Sequence, residues 1–145
     1  MDKEIERKVG KEINIKKVNT MIGNETIFRG TFVVEGTIRI DGMYEGNIRT
    51  KDLVIVGSTG KVKGDIYGEA VVIGGAVKGN IFAMKDIVLL STAKVIGDLT
   101  ATKILMDEGA KFKGKFKRVS EEELKALFEK EVNTFIEKEK SSWEW

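Results

Sequence analysis

The 145 residues include no cysteine, no histidine and no proline. Without cysteine there is no disulfide framework, no thiolate metal site and no thiol nucleophile. Without histidine the commonest general base and the commonest metal ligand are missing. Without proline, turns fall to Gly, Asn, Asp and Ser, and sixteen glycines are available to make them. No apolar run approaches the ~20 residues of a membrane span, and no signal-peptide pattern opens the chain. A cytoplasmic protein is expected. An excess of one charge is also lacking: 25 basic side chains face 23 acidic ones. That balance gives no reason to expect nucleic acid as a partner.

What is present divides into three regions. Residues 1–22 carry six basic and four acidic residues with single aliphatics between them, and read as an N-terminal tail. Residues 23–118 hold nearly all the glycine and β-branched residues. Residues 119–145 contain no glycine, have eight acidic against four basic residues, and read as an acidic helix.

The middle region repeats, and the repeat is the strongest signal in the chain. Gly30, Gly46, Gly64, Gly79, Gly97 and Gly114 follow one another at spacings of 16, 18, 15, 18 and 17. Two residues before each stands a large apolar residue: Phe28, Tyr44, Val62, Val77, Val95 and Phe112. Two residues after each stands another: Phe32, Ile48, Ile66, Ile81, Leu99 and Phe116. An alternating pair occupies the middle of each unit: Ile38/Ile40, Leu53/Ile55, Val71/Ile73, Ile87/Leu89 and Ile104/Met106. Each full unit therefore holds three short strands with one side facing inward. Strands this short have too few contacts to stand alone, and stacking the units solves the problem. Each strand then pairs in parallel with its copy about 4.8 Å along an axis.

The expected architecture is an all-β, single-stranded parallel β-helix of about six coils. Gly at the repeated corner permits positive φ and close backbone approach. The next residue alternates amide and acid over Asn47, Asp65, Asn80 and Asp98. Relief of like-charge repulsion along the stack is one reading; a simple turn preference is the other. Spacings that drift from 15 to 18 break the strict six-residue period of left-handed hexapeptide helices, so a right-handed, non-catalytic helix is expected.

On these residues the chain resembles the bactofilins. Gly36-Thr37-Ile38-Arg39-Ile40-Asp41-Gly42 with Glu45-Gly46-Asn47-Ile48 is similar to the opening of a bactofilin core. Val62-Lys63-Gly64-Asp65-Ile66, Val77-Lys78-Gly79-Asn80-Ile81 and Val95-Ile96-Gly97-Asp98-Leu99 resemble its internal corners, and Asp107 to Gly114 its last coil. The likeness covers about residues 21–118. It implies a triangular right-handed β-helix and a bacterial cytoskeletal protein that forms nucleotide-independent, non-polar filaments. It also implies a scaffold for cell shape, with envelope or peptidoglycan-related proteins as partners.

No catalytic, cofactor or metal site is expected. Gly57-Ser58-Thr59-Gly60-Lys61 lacks P-loop spacing, and Val62 stands where Ser or Thr would bind Mg²⁺. Asp107-Glu108 is read as a solvated corner, since a metal site needs more convergent oxygens. The first and last units carry Phe28/Phe32 and Phe112/Phe116 in place of aliphatics. Either wider terminal coils need larger fillers, or these aromatics bury surface across a junction between copies. Family filaments form through terminal coils, and this favours the junction.

Two terminal segments complete the reading. Ile5, Val9 and Ile13 recur every four residues among basic side chains. They suit either a disordered tail or a weak contact with the inner face of the cytoplasmic membrane. Ser120 followed by Glu123 fits a capping box, after which Leu124, Leu127, Phe128, Val132, Phe135 and Ile136 form a one-sided stripe. This amphipathic α-helix must bury that stripe. Over the last coil it would cap growth and leave a monomeric or dimeric binding scaffold. Along a side face it would leave the ends free, and otherwise it pairs with another copy or recruits a partner.

Overall fold

The computed structural model of this chain describes residues 18–143. Ile5, Val9 and Ile13 lie outside that range. Eighteen short strands form three parallel sheets. The first sheet runs β1 (Val18–Ile22), β4 (Thr37–Ile40), β7 (Leu53–Val56), β10 (Ala70–Ile73), β13 (Asp86–Leu89) and β16 (Lys103–Met106). The second runs β2 (Ile27–Arg29), β5 (Met43–Glu45), β8 (Lys61–Lys63), β11 (Ala76–Lys78), β14 (Lys94–Ile96) and β17 (Lys111–Lys113). The third runs β3 (Phe32–Val34), β6 (Ile48–Thr50), β9 (Ile66–Gly68), β12 (Ile81–Ala83), β15 (Leu99–Ala101) and β18 (Phe116–Arg118). Each strand up to β15 pairs with the strand three later, so the chain winds as a parallel β-solenoid of about six coils. The first strand begins at Val18 and pairs with β4, so the solenoid starts five residues before the boundary drawn from composition at residue 23.

The corner between the second and third sheets is invariant: one glycine and one further residue, from Gly30-Thr31 to Gly114-Lys115. The other two corners vary. The one from the first sheet to the second takes two residues at Asp41-Gly42 and Gly74-Gly75, and four at residues 23–26, 57–60, 90–93 and 107–110. The one from the third sheet to the first takes one or two. These insertions account for the whole drift of the repeat. Gly57-Ser58-Thr59-Gly60 is one of the long corners, closed by the Gly60 N–H donating to the Gly57 carbonyl at 2.8 Å.

At the invariant corner each glycine has φ between 137° and 152°. A Cβ on Gly64 would collide with the carbonyl of Gly46, and one on Gly97 with that of Gly79. Both reasons for glycine therefore hold at one atom. The following residue has a defined task. Asn47 Oδ1 accepts from the Asp65 N–H at 3.1 Å, Asp65 Oδ1 from Asn80 N–H at 3.0 Å, and Asn80 Oδ1 from Asp98 N–H at 3.1 Å. Asn and Asp serve alike here because each offers the same oxygen.

Inside, the columns are continuous. Ile48, Ile66, Ile81 and Leu99 stack in register in the third sheet, all fully buried. Tyr44, Val62, Val77 and Val95 do the same in the second. In the first sheet the register differs from the alternation read in the sequence. Ile38 pairs with Val54 and Ile40 with Val56, so Val54/Val56 face inward and Leu53/Ile55 face out. Leu53-Val54-Ile55-Val56 is apolar throughout, which leaves the period of two without a polar partner to fix its phase. Ile55, Val72 and Val88 form a second buried cluster on the outer side of this sheet, with Leu53, Ala70 and Leu90. Strands closed on both faces read as continuous apolar runs.

Two substitution pairs test this register and this corner. Ile81→Asp puts an unpaired carboxylate into the inward column and should cost more than about 4 kcal/mol. Exposed Lys78→Asp should stay within about 0.5 kcal/mol; equal melting temperatures would refute the column. Gly64→Ala should lower the melting temperature well below that of Gly23→Ala, because a Cβ at Gly23 meets nothing within 4 Å.

Candidate assembly surfaces

A solenoid wound in open coils cannot close its sheets, so each end carries three edge strands. At one end these are β1, β2 and β3, and at the other β16, β17 and β18. Unpaired edges are templates for association. The inward columns of the second and third sheets end there too, at the four aromatics singled out in the sequence.

At the first end Phe28 and Phe32 pack with ring centroids 4.7 Å apart, and both lie against Tyr44 of the next coil, at 5.8 and 5.6 Å. The Tyr44 hydroxyl lies 2.5 Å from the Gly30 carbonyl and 3.0 Å from that of Asn47. It thereby ties the first corner to the second. Burial raises its pKa. Phe28 nevertheless keeps 38% of its surface exposed. At the other end Phe116 pairs with Leu99 and Phe112 with Val95, each closing its column. Phe116 is 37% exposed, and Met106 in the same terminal coil 48%. The Asn/Asp ladder stops at the same place. Asp98 Oδ1 accepts from the Lys115 N–H at 3.1 Å, and Lys115 has no side-chain oxygen to continue it.

The C-terminal helix does not cover either end. It comprises α1 (Glu121–Phe128), a π-helical turn (Glu129–Asn133) and α2 (Thr134–Ser141). Ser120 caps it as its sequence indicated, its side chain accepting from the Glu123 N–H at 3.3 Å. Leu124, Phe128, Val132 and Ile136 are buried against Val33, Tyr67, Phe82 and Met84, on the outer side of the third sheet. Leu127 and Phe135 are half-buried at the margin of that contact. The helix thus runs along the flank from the last coil to the first, and the end-capping arrangement is not the one adopted.

The π turn has a geometric reason. A four-residue stripe drifts about 40° per step around an α-helix, and one wider turn takes part of that drift back. Within this turn the Glu131 carbonyl accepts from Arg49 Nε at 3.1 Å. The Arg49 guanidinium sits 4.5 Å over the Phe135 ring and 5.3 Å over Tyr67. Tyr67 and Phe82 stack 4.6 Å apart beneath the helix. Burial there, followed by the nearby Glu131 carboxylate, raises the Tyr67 pKa. At its far end the helix is pinned by Lys140 to Glu35 at 2.9 Å. The hydrogen bond and the opposite charge hold the Glu35 carboxyl below its usual range and Lys140 above it.

Sequence reasoning missed the outward column Val33, Arg49, Tyr67 and Phe82, which receives the helix. The signal was there: outward positions of a solenoid are ordinarily polar, and two successive coils carry aromatics at one of them. Among the described residues no helix is long and apolar enough to cross a membrane.

Comparison with known proteins adds one finding. The family model for bactofilins, described as polymer-forming cytoskeletal, matches residues 20–117. None of the curated proteins and none of the solved structures matches the chain.

Phe128 tests the seat of the helix, being 2% exposed with its ring edge-on to Tyr67 at 6.2 Å. Phe128→Ala should cost about 3–5 kcal/mol of helix docking. Amide exchange should quicken over 121–141 and leave the inward columns protected. Unchanged exchange in the helix would show that Phe128 does not anchor it.

Proposed function

The chain belongs to the bactofilin family, polymer-forming cytoskeletal proteins, and on that footing we propose that its copies stack end to end into non-polar filaments that need no nucleotide. One observation carries this reading. Both ends leave apolar columns and strand edges open, while the helix that could have closed one of them lies along the flank. Repeat proteins that stay monomeric need polar caps on their terminal units. Here the terminal units present Phe28 and Phe32 at one end and Phe112 and Phe116 at the other. A second copy laid on either end extends the ladder and removes those rings from water. Like ends meeting, first on first and last on last, give two-fold junctions in which each patch is its own complement. Such a filament has no direction. The continuing sheets supply the free energy, so nucleotide hydrolysis has no step to drive.

In the cell, the filament serves as a scaffold for envelope or peptidoglycan-related proteins that set cell shape, at the inner face of the cytoplasmic membrane. Its regular outer surface repeats every subunit, so bound partners are spaced by the filament itself.

Negative-stain microscopy of the purified chain without nucleotide should show filaments. Phe116→Arg places a cation in the last-coil junction and should abolish them while leaving the β spectrum intact. Because the first-coil junction survives, light scattering should report dimers. Long filaments from Phe116→Arg would remove that residue from the junction, and monomers would remove the first-coil junction.

A further inference from the structure

The solenoid has three outer faces. The third sheet lies under the C-terminal helix. The outer side of the first sheet is buried over its middle coils, with Ile55 and Val72 fully buried. Among the described residues the second sheet is the face open along its whole length, and its charge is one-sided. Of the twelve outward positions in its six strands, seven are cationic and one is acidic. The acid, Glu45, is already paired with Arg29 at 3.2 Å. Lys61, Lys63, Lys78, Lys94, Lys111 and Lys113 are all exposed.

The fold does not require this arrangement. Lys63 stands directly beside Lys78, and Lys94 beside Lys111, in adjacent strands. Like charges in directly facing positions destabilise a sheet. Elsewhere the molecule interleaves signs, as in Lys85 with Glu69 and Lys125 with Glu121. Among the lysines stand apolar side chains that nothing covers: Ile27 at 68%, Met43 at 47% and Ile96 at 54% exposure. The face is about 24 Å long across six strands and about 10 Å wide.

From this geometry we infer that the outer face of the second sheet docks on an anionic lipid bilayer. The inference deepens the membrane-side placement proposed above and rests on it for location only. Lysine ammonium groups spread over a plane suit diffuse headgroup phosphates, whereas bidentate recognition of discrete phosphates favours arginine. Exposed Ile and Met between them reach the headgroup boundary, as the apolar side of interfacial segments does. No aromatic side chain stands in the outward positions of this sheet to stack on bases, which sets the face apart from single-strand nucleic-acid platforms. A second copy is the weaker occupant, because the helix, the other long exposed element, mixes four lysines with its glutamates.

The test uses the full chain and vesicle co-sedimentation. Vesicles of phosphatidylglycerol mixed with phosphatidylcholine should pellet it, phosphatidylcholine alone should not, and added salt should release it. Each lysine near an anionic surface multiplies affinity about fivefold. Lys63→Glu with Lys78→Glu should therefore weaken binding by at least about tenfold. Lys130→Glu with Lys138→Glu, an equal charge change on the helix, should leave it near wild type. Equal loss in both variants would reduce the effect to net charge and overturn the face. Undiminished binding by the Lys63/Lys78 variant would overturn it too, as would loss on Val9→Asp alone with that variant unaffected, which would assign the contact to residues 1–17. Salt-sensitive lateral sheets of filaments without lipid affinity would assign the face to a second copy. Microscopy of the Lys63/Lys78 variant separates the two proposals. Filaments with no vesicle binding support both, and vesicle binding by a wild-type chain that forms no filaments would sink the polymer alone.

Discussion

The structure depends on one contact: the carbonyl of a corner glycine in one coil lies where the next coil's glycine would carry its Cβ. It recurs at Gly46, Gly64, Gly79, Gly97 and Gly114. It sets how closely the coils stack, and it fixes the register of the strands on both sides. Beside it the Asn47–Asp65–Asn80–Asp98 ladder satisfies the backbone N–H that the turn leaves without a strand partner. Because this corner is constant, the other two are free to vary. Loops of one, two or four residues are inserted there without moving an inward column. The repeat is therefore irregular in length and regular in space.

The constancy has a second effect. Each outer face becomes an independent surface, built from positions that recur once per coil. The three faces have taken different characters. The third carries Tyr67 and Phe82 and receives the helix through Leu124, Phe128, Val132 and Ile136. The first carries Ile55, Val72 and Val88 and is buried over its middle coils. The second carries lysine. The flank surfaces and the end surfaces are thus separable, since outward residues point away from the columns that terminate in Phe28, Phe32, Phe112 and Phe116.

Much of this was legible in the residues. The glycine column, the flanking Phe/Tyr/Val and Phe/Ile/Leu columns and the three-strand unit could be read directly, because each pairs a backbone requirement with a fixed offset. The capping Ser120 was equally plain. Two things were not. The phase of Leu53-Val54-Ile55-Val56 was misread, since a run apolar on both faces contains no alternation to count. The seat of the helix was left open, because an amphipathic stripe states that burial occurs and not where. Its receiving face is assembled from Val33, Arg49, Tyr67 and Phe82, one residue per coil, and only the folded repeat brings them together.

The flanking helix is 21 residues long in its three parts, about 30 Å, while six stacked strands span about 24 Å. It leaves the last strand directly and is fastened along the flank from the fourth coil, by Phe82 and Met84, to the first, by Glu35, so it runs along the solenoid axis. This makes it a strut in the mechanical sense. A solenoid pulled along its axis loads its interstrand hydrogen bonds in line, and coils would peel from one another in turn. With the strut in parallel, an axial load on the body is shared between the ladder and a helix that bridges its coils. A junction between two copies has no such bridge from this helix. In a filament built from this unit, tension would open the junctions first, and breakage would release intact subunits rather than unravelled chains.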